Sequence, residues 1–223
     1  MEVTISRQLA SKWVKTNTLL RSPYIARHIP SSRLYNAGNL QQMLKRFGMV
    51  VLKPVRGAGG QGVIKVESIG RTYRLTHKSN RRSFSSFNQL LHALNATRKK
   101  RTYLIQRGIH LATIGGRPID YRVKYVKENG RWTYRSMVGR LARKGLFVTN
   151  LCRGGTQMTA AQGIRRSLSS RLVRPKKSEM RQLTNASTAL LESHYPGIGQ
   201  LGYDYGIDRN GHIWMLEVNT RPQ

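Results

Sequence analysis

Carboxylates are what this chain lacks. Its 223 residues hold nine Asp and Glu against 40 Lys and Arg, a formal net charge of +31 at pH 7. A field of that sign attracts polyanions of any kind and names none of them. Cysteine is almost absent as well. Cys152 stands alone, which excludes an internal disulfide and a cysteine metal cluster and leaves a small core or loop residue. No apolar run reaches membrane-spanning length, and the start MEVTISRQLASKW has no signal-type apolar core. A soluble, cytoplasmic protein without membrane insertion is the expectation. No Cys/His finger, basic region with heptads or aromatic RNA-binding signature occurs, so nucleic acid is expected only as a non-specific, salt-sensitive partner. The six histidines have no ligand spacing, and Trp13, Trp132 and Trp214 read as packing residues.

A hydrophobic content of 39% over 223 residues suffices for a packed core in one large domain or two small lobes. Helical periods alternate with strand-like runs, which predicts an α+β fold, and no internal repeat is visible. Residues 7–20 and 40–47 read as helices, 49–53, 63–66 and 102–106 as strands. Ser85 and Ser86 offer a cap for a helix carrying Phe87, Leu90, Leu91 and Leu94 on one side. Residues 120–126 and 132–138 form a hairpin across Asn129-Gly130, and Ser178 offers a cap for a helix with Met180, Leu183 and Leu190. The basic, serine-rich stretch from Gln162 to Lys177 reads as a linker. Other basic residues cluster at 71–78, 81–82, 98–101 and 140–144.

Because acid is scarce, its placement is informative. Three of the nine carboxylates, Asp204, Asp208 and Glu217, lie in GYDYGIDRNGHIWMLEVNTRP, residues 202–222. Apolar and aromatic runs flank Asn210-Gly211, the strongest short-range signal for a two-residue turn. With that pair as the loop, Arg209 faces His212, and counting outward sets Asp204 opposite Glu217, about 5 Å apart on one face. Asn219 joins the same face. Facing carboxylates repel unless they share a proton, gain a basic neighbour or bind a divalent cation. Two carboxylates and an amide oxygen suit magnesium, which also takes phosphate oxygens. An ordinary hairpin whose acids pair with Lys and Arg stays open.

The second signal is VVLKPVRGAGGQGVIKV. Lys53 ends a strand, and Gly57, Gly59, Gly60 and Gly62 make a flexible loop before the next one. Backbone N–H groups of such a loop can close on phosphate oxygens, with the lysine as a mobile positive charge. No Gly-Lys-Ser/Thr ends the loop and a strand follows it, so it is neither a Walker loop nor a Rossmann turn. A ligand-free glycine turn is the bland alternative.

Five motifs in order, LKPVRGAGGQGVIKV, YLIQRGI, DYRVKYV, GRLARKGLFVTNLCRGG and the terminal hairpin, resemble the ATP-grasp family, most closely its YheC/YheD spore-coat-associated subgroup. The resemblance covers nearly the whole chain from Lys12 onward. It implies an ATP-grasp fold of two α/β lobes clamping a nucleotide, as a single domain over 1–223. Residues 48–107 would be the small nucleotide-binding lobe and 1–47 with 108–223 the remainder, without the N-terminal domain that usually precedes the lobes. Lys12 matches the opening phosphate lysine, with Lys15 a nearby competitor. Lys53 matches the second phosphate lysine, and Gly57 to Gly62 the lid over the phosphates. Gln106, Arg107 and Ile109 fall in the hinge that holds adenine, Gln106 standing where the family often has Glu. Asp120 and Arg122 match a D-x-R strand beneath the nucleotide. Arg140 and Asn150 match residues facing the γ-phosphate, and Asp204, Glu217 and Asn219 match the magnesium ligands.

The resemblance implies an ATP- and Mg2+-dependent carboxylate-amine ligase working through an acyl phosphate, with Lys53, Arg122, Arg140 and Asn150 as its catalytic groups. Its acid and amine substrates are unnamed, an acidic peptide or polymer being one candidate. A structural or polyanion-binding spore protein that retains the fold is the competing reading. Taken singly, Arg122 and Arg140 could be solvated charges, Asp120 a neutraliser of arginines and Asn150 a turn residue.

Overall fold

A computed structural model describes residues 6–98 and 101–222. Lys99 and Lys100, inside one of the basic clusters, lie outside the described residues. In chain order the elements are α1 (Lys12–Leu19), α2 (Pro23–Ala26), β1 (Ser32–Leu34), α3 (Ala37–Phe47), β2 (Met49–Pro54), β3 (Ile64–Ile69), β4 (Thr72–His77), β5 (Asn80–Phe84), α4 (Phe87–Thr97) and β6 (Tyr103–Arg107). There follow β7 (Thr113–Ile114), β8 (Arg117–Glu128), β9 (Arg131–Leu141), β10 (Thr156–Thr159), α5 (Ala160–Ser167), α6 (Val173–His194), β11 (Gln200–Ile207) and β12 (Ile213–Asn219). The fold is α+β with two mainly antiparallel sheets, as anticipated. No helix among the described residues is long and apolar enough to cross a membrane.

The chain divides into two compact units. The smaller comprises residues 30–109 and 145–148. Its sheet has the order β1-β6-β2-β3-β4-β5. One face, with Val50, Leu52, Ile64, Val66, Leu75 and Ile105, closes on Leu40, Met43 and Leu44 of α3 and Leu90 and Leu94 of α4. Both helices start where short polar side chains leave the strand. Asn36 accepts from the Asn39 N–H, and Ser86, the expected cap, accepts from the Gln89 N–H.

The larger unit comprises residues 1–29, 110–144 and 149–223, with sheet order β10-β9-β8-β11-β12. The β8–β9 hairpin turns at Asn129-Gly130 as predicted, both residues taking positive φ (49° and 77°), with Glu128 opposite Arg131. Alternation along β8 and β11 sorts the two faces of this sheet. Ile119, Tyr121 and Val123, with Leu201, Tyr203 and Tyr205, pack on Met180, Leu183 and Leu191 of α6. Thr184 and Thr188 of α6 hydrogen-bond the Tyr205 and Tyr203 hydroxyls at 2.9 and 2.7 Å. Asp120, Arg122 and Asp204 therefore project from the opposite face.

Three local expectations need correction. The first helix begins at Lys12, where Ser11 caps it, and not at residue 7. Residues 162–177 are no linker: they form most of α5, a 3-10 turn (Ser170–Leu172) and the start of α6. Ser178 lies inside α6, whose N-cap position is Leu172.

Gly163 of α5 marks a close helix-to-sheet approach. A Cβ there would stand 2.8 Å from Ile119 Cδ1 and 3.0 Å from Tyr121 Cε1. In an exposed helix Gly→Ala gains up to about 1 kcal/mol. Here overpacking should reverse the sign, and Gly163→Ala should lose roughly 1–3 kcal/mol, read as a lowered urea midpoint at unchanged m-value.

Candidate functional site

The terminal hairpin sets Asp204 directly opposite Glu217, as predicted, but by a different route. The last ladder pair is Ile207 with Ile213, and the Asp208 N–H donates to the His212 carbonyl at 3.0 Å. The loop between Asp208 and His212 is three residues, Arg209 to Gly211, and of these only Gly211 has positive φ (83°). Asp208 accepts from the Asn210 and His212 N–H groups, both at 2.9 Å, and from Trp214 Nε1 at 2.8 Å. This third acid is a loop clamp. The longer loop slips the register by one residue, Tyr205 pairing Met215. A bulge at Leu216 takes the slip back before Asp204 meets Glu217. Without the bulge Asp204 would face Leu216.

Asp204 also lies opposite Arg122 of β8, and in the next row Asp120 lies opposite Arg140 of β9. These four side chains form one chain of alternating charge. Arg140 donates to both Asp120 oxygens, at 2.8 and 2.5 Å, and reaches Asp204 Oδ1 at 2.9 Å. Arg122 grips Asp204 through two donors, Nη2 to Oδ2 at 3.0 Å. Asp120 also takes a hydrogen bond from Thr149, a residue the sequence did not single out. Burial works to raise the Asp204 carboxyl, but Arg140 and then Arg122 outweigh it and hold it below the usual range. Burial prevails at Asp120, which is displaced upward against the pull of Arg140, so of the two it is the first to take a proton.

Glu217 pairs with Lys12 of α1 at 3.5 Å. Of the two competing lysines, Lys12 is thus the one whose ammonium reaches this face. Lys15 is buried, donates to the Leu9 carbonyl at 2.5 Å and has its pKa lowered to about 8, mainly by desolvation. Asn219 ends β12 opposite Gly202, against which Pro222 packs so closely that a Cβ would come within 2.6 Å of it. Asn150 precedes the 3-10 turn Leu151–Arg153 without a side-chain cap bond. Lys12, Asp120, Arg122, Arg140, Asn150, Asp204, Glu217 and Asn219 all belong to the larger unit.

Lys53, the glycine loop and residues 106–109 belong to the smaller unit. Gly57, Gly59, Gly60 and Gly62 all adopt positive φ (140°, 64°, 67° and 71°), backbone that side-chain-bearing residues rarely take. Lys53 Nζ donates to Gln106 Oε1 at 2.7 Å, and Gln106 Nε2 donates to Ser32 Oγ at 3.3 Å. The Gln106 amide is thereby fixed in orientation, its oxygen toward the lysine. The Arg107 N–H donates to the Ser31 carbonyl and the Gly108 N–H to that of Met49, both at 2.8 Å, leading the strand end to half-buried Ile109.

Comparison with known proteins follows the same lines. A family described as YheC/D-like ATP-grasp matches residues 3–223. Endospore coat-associated protein YheD of Bacillus subtilis (strain 168) is 30% identical over 220 residues, 95% of this chain and 48% of its own length. Endospore coat-associated protein YheC of the same organism is 25% identical over 233 residues, covering 98% and 61%. The chain thus spans about half the length of the curated relatives it matches. Among solved structures, N5-carboxyaminoimidazole synthase from Aspergillus clavatus, in complex with ADP and its ribonucleotide, superposes with TM-score 0.60 at 13% identity, over 97% of this chain and 46% of that one. D-alanyl-alanine synthetase A from Vibrio cholerae O1 biovar eltor gives TM-score 0.54 at 15% identity, over 89% and 52%. At such identities these two share a fold with the chain.

Two outcomes test the electrostatics. Arg140→Met should cost on the order of 3–5 kcal/mol in chemical denaturation, since it strips Asp120 of its arginine and leaves buried charge unanswered. Arg122→Met should cost less, because Asp204 keeps Arg140. Lys15 gives a pH signature. Its folded pKa lies below the unfolded value, so between pH 8 and 10.5 the unfolded chain binds the extra proton and stability rises with pH. The gain should approach roughly 3 kcal/mol and be absent in Lys15→Met. Above about pH 10 buried tyrosines oppose it, Tyr121 being pushed up to about 12 by burial.

Proposed function

The chain belongs to the YheC/D-like ATP-grasp family, and from that premise we propose that it is an ATP- and magnesium-dependent ligase joining a carboxylate to an amine through an acyl phosphate. The observation that carries this reading is the pairing of Asp204 with Glu217 on a face also furnished with Arg122, Arg140 and Lys12. In a chain with nine acids, one face of one sheet holds three of them, Asp120, Asp204 and Glu217.

The donor chemistry fits magnesium. Among the described residues no three of His, Cys, Asp and Glu cluster closely enough to hold a metal alone, so a hard cation here would rest on Asp204, Glu217, the Asn219 amide oxygen and oxygens of the nucleotide. Bound there, it would supply positive charge to phosphate oxygens. Lys53 and the N–H groups of the glycine loop would hold the phosphates. In the smaller unit the strand end at Gln106, Arg107 and Ile109 would receive the base, and in the larger unit Asp120 is the candidate for nucleotide binding. In the first step an oxygen of the substrate carboxylate bonds to the γ-phosphorus and ADP leaves. In the second the amine nitrogen bonds to the acyl carbon, the bond from that carbon to the phosphate oxygen breaks, and the proton lost from nitrogen passes to the departing phosphate or to solvent. Both steps build negative charge on oxygen, which Arg122 and Arg140 would neutralise, with Asn150 as a further donor. No protein nucleophile is required.

The names of the two bacillar relatives support the spore coat as the setting, and with a charge of +31 they also favour a second reading, a polyanion-binding coat component that keeps the fold without turnover. Magnesium-dependent ADP release, screened over pairs of carboxylates and amines, separates the two. Release that needs both partners identifies a ligase, and release with an alcohol acceptor alone identifies a kinase. Glu217→Gln and Lys53→Ala should each lower turnover on the order of a hundredfold or more while melting as the parent does. Full activity in either variant refutes the assigned site.

A further inference from the structure

The two arginines that hold Asp204 are themselves held differently. Arg140 donates to both Asp120 oxygens as well as to Asp204, and only 6% of its side chain is exposed. It is anchored from two sides. Arg122 is more open, with 16% of its side chain exposed, and it grips Asp204 with two donors, Nε to Oδ1 and Nη2 to Oδ2. A carboxylate offers about four lone-pair sites. Arg122 Nε and Arg140 Nη2 share Oδ1, and Arg122 Nη2 takes one site on Oδ2 at 3.0 Å. A divalent cation on the remaining site would share Oδ2 with a guanidinium nitrogen. Like charges on one oxygen repel, so a cation and the Arg122 fork compete for Asp204.

The fork also reaches along the face toward the third candidate ligand. Gly202 stands two residues before Asp204 and is the ladder partner of Asn219. A Cβ on Gly202 would lie 3.4 Å from Arg122 Nη1 and 2.6 Å from Pro222 Cβ. Without one, Gly202 leaves its place on this face to the guanidinium. The positive group thus lies over two neighbouring positions of β11, one carrying the acid and the other facing the amide.

We propose that Arg122 is a latch on the metal site, whose guanidinium holds Asp204 against a bare divalent cation and lets go only when an anion arrives with the cation to receive the fork. That anion is a phosphate oxygen of the nucleotide, and this part rests on the ligase reading, whereas the competition for Asp204 rests on geometry alone. Arg140, tied to Asp120 and Asp204, keeps the row of charge together while Arg122 moves, so the motion is confined to one side chain. Metal uptake becomes conditional on nucleotide. Arg122 in turn becomes free to meet phosphate only once Asp204 has another partner.

Mn2+ alone, a hard cation suited to the same oxygen donors, tests the latch when titrated into the full chain without nucleotide and followed by electron paramagnetic resonance of the free ion. Arg122→Gln should bind it about tenfold or more tighter than the parent, because a two-point charge-assisted contact no longer competes. Lys124→Gln removes the same charge two residues along β8 on the same face and should gain less than about threefold. Arg122→Lys keeps the charge without the fork and should fall between the parent and Arg122→Gln. It serves alone if circular dichroism shows that Arg122→Gln does not fold. Adding Glu217→Gln to Arg122→Gln should abolish the gain. Equal affinity of the parent and Arg122→Gln, an equal gain from Lys124→Gln, or a gain that survives the loss of Glu217 would each overturn the proposal. Calorimetry of Mg·ADP with the parent chain reads the nucleotide part separately. Without uptake the ligase reading falls, and the Mn2+ titrations still decide whether Arg122 competes with a cation for Asp204.

Discussion

Asp120, Arg140, Asp204 and Arg122 form a buried row of alternating charge, and the larger unit is arranged around it. Arg140 and Asp120 each expose only 6% of their side chains. Neither could stay charged there alone, because removing an isolated ion from water costs several kcal/mol or more. Each is tolerable because its neighbours on β8, β9 and β11 carry the opposite sign at the adjacent ladder position. The three strands must therefore hold their register as a set. A slip of one residue on any of them would turn a charge into the layer of Tyr121, Tyr203 and Tyr205 packed on α6.

The same row explains how so basic a chain keeps carboxylates available at one spot. Asp120, Asp204 and Glu217 against Arg122, Arg140 and Lys12 sum to zero formal charge. These six charges balance in a chain whose formal net charge is +31. A cation entering beside Asp204 and Glu217 would be repelled by a naked arginine cluster, but here each arginine is already committed to a carboxylate. On the proposed reading, the carboxylate lone pairs that remain, with the Asn219 oxygen, would hold a divalent cation together with phosphate oxygens.

Much of the fold was legible because local and tertiary demands coincided. Asn129-Gly130 takes the two positive φ angles its residue types suggest, and Ser86 caps α4 where a short hydroxyl precedes the apolar period. Where they diverged the reading failed. Residues 162–177 are crowded with basic and serine residues and look like a linker, yet Ile164, Leu168 and Leu172 recur every four residues, Thr159 and Gln162 form a capping box at α5, and Pro175 in the first turn of α6 is a helix-start signal that the surrounding charge obscured. The strand β5 went unseen because four of its five residues are exposed, and β4 because the basic residues in and around it mask the short alternation of Tyr73 and Leu75.

The candidate site is the more instructive case, since its central pair was found by two errors that cancel. Asn210-Gly211 does not form a two-residue turn, because Asp208 is drawn into clamping the loop through its own carboxylate and lengthens it by one residue. Leu216 then bulges and restores the count. Nothing in the residue spacing announces either event. What selects the bulge is tertiary: Gly206 leaves space that Leu216 Cδ1 and Leu111 Cδ2 approach, at 3.2 and 2.4 Å from where a Cβ would stand, so Leu216 is accommodated on the same face as Glu217. A glycine at 206 thus lets the bulge form, the bulge turns Glu217 toward Asp204, and the facing carboxylates follow from packing as much as from pairing.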